Sequence, residues 1–96
     1  MNDFIKKYEK IKELKKQIEK LKKEQIKYMT NDEMKYIRQK CIDNKSITTN
    51  ELFRYSKSFE ISEKIINLQF ELSDKKEEIK NTIEEIKEIL REIKRG

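Results

Sequence analysis

Apolar residues return every three or four positions along most of this chain, and lysine and glutamate fill the intervals. Ile11, Leu14, Ile18 and Leu21 step by 3, 4 and 3, the spacing of a coiled-coil seam. Phe4, Ile5 and Tyr8 extend that stripe toward the start, and Gln25 takes the next seam position after Leu21. Thr30-Asn31-Asp32-Glu33 then spells a capping box. That box either starts a new helix or lies on the polar face of one continuous helix; with no Pro or Gly to force a break, a continuous or mildly kinked helix over residues 1–44 is favoured. Met34, Ile37 and Cys41 form a short second stripe, and polar residues gather at Asp43-Asn44-Lys45.

Residues 45–60 read as a loop followed by a short central segment. Ser46 to Asn50 is the loop, and Thr48 with Glu51 is a second capping box that starts the next helix. The centre is ambiguous, because Leu52, Phe53, Ser56 and Phe59 fit a helix face while Phe53, Tyr55, Phe59 and Ile61 alternate as in a strand. Helix is favoured by the cap at Thr48. From residue 61 to 96 the pattern is strongest. Ile61, Ile65, Leu68, Leu72, Lys75, Ile79, Thr82, Ile86, Ile89 and Ile93 step 4-3 throughout, and Ile66, Ile83 and Leu90 widen the stripe.

Two arms of similar length around one loop describe an all-α antiparallel helical hairpin, a single coiled-coil-like domain. Its seam is expected to be Ile11, Leu14, Ile18, Leu21, Ile65, Leu68, Leu72, Ile79, Ile86, Ile89 and Ile93, with a turn near residue 47 placing Leu14 at the height of Ile86. Ile66, Ile83 and Leu90 are the candidate partner-facing residues. Charge fits the pairing: residues 4–29 carry ten Lys and four Glu, whereas residues 71–92 carry eight acidic and five basic side chains. A thin two-helix hairpin buries little, so self-association or another helical partner is expected.

Composition then narrows the chemistry. Charged residues are 45% of the 96 and apolar ones 34%, with a net charge of +5. There is no Pro, His, Trp, Ala or Val, and the one Gly is residue 96. Glycine-built phosphate loops, His-based triads and His-containing zinc sites are thereby excluded. Cys41 is the only thiol, so no internal disulfide forms, and its place in the second stripe reads as a small buried hydrophobe. A reducing cytoplasm is the expected location. No apolar run spans a membrane and no signal-peptide pattern opens the chain. Abundant Lys, Ile, Glu and Asn beside missing Ala, Val and Pro suggest A+T-rich coding, hence a low-G+C bacterium, its phage or its plasmid.

The acidic pairs Glu77-Glu78 and Glu84-Glu85 read as solvated helix faces rather than metal ligands. No cofactor, small-molecule substrate or catalytic residue is assigned. Ser56-Lys57-Ser58-Phe59-Glu60 faintly resembles the Ser-Gln-x-Leu-Asp hallmark of small aspartyl-phosphate phosphatases, but Gln, Leu and Asp are all replaced. The expected function is a non-enzymatic helical interaction module. The alternative is a small DNA-binding regulator dimerised by its long helices. Its centre would be a helix-turn-helix with a turn near Lys57-Ser58, and its phosphate contacts would come from Lys6, Lys7, Lys10, Lys15, Lys16, Lys22 and Lys23.

Overall fold

The computed structural model describes residues 2–95. Three helices follow one another: α1 Asn2–Tyr28, α2 Asn31–Ile42 and α3 Thr49–Arg95, with no strand among the described residues. The molecule measures 73 × 24 × 14 Å. α3 accounts for that length, since its 47 residues reach about 70 Å at 1.5 Å each. α1 lies antiparallel along α3, and α2 packs against the start of α3. The helical hairpin expected from the pattern is the observed fold.

Local sequence explains where each helix starts. The Thr30 hydroxyl accepts from the Glu33 amide at 3.2 Å and donates to the Glu33 carboxylate. Thr48 and Glu51 complete a reciprocal box, each amide bonded to the other's side chain at 3.1 Å. α2 ends in a Schellman turn: the Lys45 amide reaches the Lys40 carbonyl at 2.9 Å and the Asn44 amide the Cys41 carbonyl at 3.3 Å. Asn44 takes φ 53°, and Asn is among the few residues other than Gly that enter this region readily.

Two expectations about continuity are corrected. The first arm is not one helix: it breaks at Met29 and Thr30, where Thr30 is extended at ψ 163°. The centre is helix, as favoured over strand, but the helix-turn-helix alternative is corrected, because α3 runs unbroken through Lys57 and Ser58. Phe53 and Phe59, which made the centre look strand-like, lie exposed on the outside of α3.

The packing has a clear register. Gln25 bonds to Ser62, and Lys7 pairs with Glu78 at 3.9 Å. Paired positions therefore sum to about 85–87, and Leu14 lies at the height of residue 71. The expected pairing of Leu14 with Ile86 is corrected by fifteen positions, about 22 Å along the helix. The break accounts for about half of that shift, and the rest lies in the expected pairing, because a turn at residue 47 levels Leu14 with Lys80 rather than Ile86. Residues 29–48 fold into α2 and its loop, yet they occupy only the height of about nine residues of α3.

The buried residues form two clusters. Ile18, Ile61 and Ile65 pack together with Leu21, Tyr28, Leu68 and Leu72 against them. Met29, Met34 and Ile37 form the second, with Ile47 and Tyr55 beside them. Leu14 is only 1% exposed. Truncating such a side chain costs about 2–5 kcal/mol, so a few aliphatics carry this thin fold.

Candidate functional site

The 4-3 seam of α3 divides into three stretches. Its first stretch, Glu51, Arg54 and Ser58, is polar and faces the break between α1 and α2. Ser58 is 0% exposed; its hydroxyl donates to the Met29 carbonyl at 3.0 Å and also touches the Met34 sulfur. Arg54 donates to the Tyr28 carbonyl at 2.9 Å and pairs with Glu33 at 2.7 Å. That guanidinium and the Thr30 cap hold the Glu33 carboxyl below its usual range. Gln25, buried at the seam position after Leu21, donates to the Ser62 hydroxyl and toward the Ser58 carbonyl. Glu51 pairs with Lys40 at 2.9 Å, which with the Thr48 amide lowers its pKa to about 2 and raises that of Lys40. This network ties the carbonyls freed at the end of α1 to donors on α3. Extending the seam backward from Ile61 by 3 and 4 would have found Ser58 and Arg54 in the sequence.

The second stretch is the hairpin core. Ile11, Leu14, Ile18 and Ile65 are buried, while Leu21, Leu68, Leu72 and Ile79 are half-buried. These seam residues are brought together as expected.

The third stretch begins where α1 runs out. Asn2 stands at the height of residue 83, so residues 83–95 project beyond the paired region by about 18 Å. Ile86, Ile89 and Ile93, expected in the hairpin core, are instead 48%, 56% and 68% exposed. Ile83 and Leu90 join them on the same face, so an unbroken aliphatic stripe lies bare. Helical rotation centres this face on Ile86. Glu85 and Glu92 border it on one side, and Lys87 and Lys94 on the other. Ile66 is also exposed, but it lies elsewhere, beside Ile26 over the break.

The candidate nucleic-acid lysines are not equivalent. Lys6, Lys15, Lys16, Lys22 and Lys23 are exposed, whereas Lys7 and Lys10 are half-buried. Lys7 is committed to Glu78, and Lys10 and Lys22 each stand 3.9 Å from a glutamate on their own helix. Lys16 and Lys23 belong with Lys20 and Lys27 to one row that runs unbroken at 4-3-4 spacing along the outside of α1.

Cys41 is corrected as well: it is exposed, not buried. It lies at the lip of an apolar hollow of about 360 Å³ between α2 and the start of α3, lined by Ile37, Ile42, Ile47, Leu52 and Tyr55. Among the described residues, no three Cys, Asp or Glu side chains gather as a metal site requires. No described helix is long and apolar enough to cross a membrane. No protein-family model, curated protein or solved structure matches the chain, so residues and geometry alone support a functional reading.

Proposed function

We propose that this chain is a non-enzymatic helical interaction module of a reducing cytoplasm, and that it docks through the bare end of α3. One observation carries the reading: Ile83, Ile86, Ile89, Leu90 and Ile93 stand on one face with nothing described against them. Soluble chains seldom leave such a contiguous stripe uncovered. Complete burial of an aliphatic side chain is worth about 1.5–3 kcal/mol, so covering the exposed half of five gains roughly 4–7 kcal/mol. The helix that presents them is already formed, which lowers the ordering cost of docking.

A photo-crosslinking residue tests this. Leu90→benzoylphenylalanine should give a discrete adduct in the cells that make the protein, and the same probe in place of Lys12 should not. If position 90 gives no adduct beyond that control, the reading fails.

A second reading rests on the row Lys16, Lys20, Lys23 and Lys27, which suits a phosphate backbone. Since α3 has no turn at its centre, such contact would be to phosphates rather than base edges. Binding to duplex DNA that falls steeply with salt, and falls further on replacing Lys20 and Lys23 by Gln, is the expected signature.

A further inference from the structure

We infer that the bare end of α3 is covered by the same segment of a second copy of this chain, lying antiparallel, so that two hairpins join end to end. This rests on the interaction reading above and names its partner.

Space sets the direction. The aliphatic face of residues 83–93 continues the groove of α3 that α1 fills, and α1 begins at the height of Ile83. A helix entering that groove has to approach from beyond the start of α1, which makes it antiparallel to α3. A parallel copy would bring the body of its own α3 into the space that α1 already occupies.

Length agrees with direction. Ile83, Ile86, Leu90 and Ile93 step 3, 4 and 3, so an antiparallel copy sets Ile83 against the partner's Ile93 and Ile86 against the partner's Leu90. Each Ile93 then comes to the height at which the other copy's α1 begins. The bare segment is thus matched in length by itself, and an isologous two-fold contact covers both copies at once.

Charge along the segment supports the same direction. Residues 83–88 hold three acids and one Lys, a net of −2, while residues 89–95 hold three basic side chains and one Glu, a net of +2. Antiparallel packing lays each acidic half beside a basic half. One local conflict remains, because Glu85 and Glu92 share a border and Glu85 comes beside the partner's Glu92. That conflict makes the direction measurable.

Sedimentation equilibrium of the full chain, from about 1 to about 500 µM, is the test, because a contact this short should dissociate within that range. The expected result is a reversible equilibrium between 11.8 kDa and twice that mass. Glu92→Lys sets a cation beside the partner's Glu85 twice over, and should tighten the dimer about threefold at low salt. In a parallel dimer the same change would oppose the partner's Lys94 and weaken it. Ile86→Asp should weaken the dimer at least about thirtyfold while leaving the helical content of dilute protein unchanged, because Ile86 takes no part in the hairpin core. A single 11.8 kDa species throughout, a weaker dimer with Glu92→Lys, or a dimer indifferent to Ile86→Asp would each overturn the proposal. A monomeric chain whose position 90 crosslinks to a protein of different mass would end this proposal and leave the interaction reading standing.

Discussion

The hydroxyl of Ser58 donates to the carbonyl of Met29 across 3.0 Å, with no part of the serine exposed. A residue near the start of α3 thereby satisfies a carbonyl at the point where the first arm breaks. Ser58→Ala leaves that carbonyl without its donor in a buried place, at a cost of about 1–3 kcal/mol. Urea unfolding of dilute protein measures it. A loss within 0.5 kcal/mol, the range of an ordinary surface change, would mean the break does not depend on this bond.

The register can be read with spin labels. Lys12 and Ser73 are exposed and lie at the same height on the two arms. Labels there should report a separation below about 20 Å, two side chains across a helix pair. Lys87 is fourteen residues farther along α3, an axial offset of about 21 Å, so Lys12 with Lys87 should be longer by roughly 10 Å. Equal distances for the two pairs would refute the observed register. Dilution with unlabelled chains keeps contacts between copies out of the measurement.

Burial separates two aliphatic residues that the pattern alone treats alike. Leu14→Ala should cost about 2–5 kcal/mol, as truncation of a fully packed side chain does. Ile86→Ala, at 48% exposure and beyond the paired region, should stay within about 0.5 kcal/mol in dilute protein. Thermal melts at one low concentration compare them. A large effect at Ile86 under those conditions would place it inside a core.

Acid should erase one specific contribution. Glu51 is held at about 2, against an ordinary 4.5, by its bond to Lys40 and then by the Thr48 amide. A lowered carboxylate pKa gives stability that is complete above the ordinary value and is lost as pH falls toward the folded one. Glu51→Gln removes the charge but keeps a side chain that can cap. Parent and variant should therefore differ at neutral pH and converge as pH falls from 4.5 to about 2. An unchanged gap at the acid end would show that the difference is not electrostatic. Lys40 is raised above its ordinary 10.5, so its share is complete below that pH and is lost as the solution becomes more alkaline still.

Much of this fold is legible because short-range chemistry writes it. Thr48 with Glu51 reads as a helix start, Thr30 with Glu33 offers a second that the favoured continuous arm passed over, and both boxes are made. Ile61 to Thr82 reads as a seam, and every position on it is buried or half-buried. The break at Met29 is not legible in the same way, because no Pro or Gly causes it. Beside the local Thr30 cap, it is held by Arg54 and Ser58, which are close to Met29 only after the chain has folded back. A first arm without the break has a different register, one in which Ile86, Ile89 and Ile93 fall inside a core that in fact ends before them. The bare face was thus visible as a pattern but not as a surface, since periodicity shows which side of a helix is apolar and not what lies against it.

The bend between α1 and α2 is specified by residues synthesised after it. Residues 2–44 leave the ribosome before Arg54 and Ser58, and during that interval only the Thr30 cap marks where the helix should stop. Until then the Tyr28 and Met29 carbonyls lack the donors, 26 and 29 positions downstream, that hold the bend in the folded chain. The bend is therefore a long-range feature of the fold, secured only when α3 lies against the end of α1.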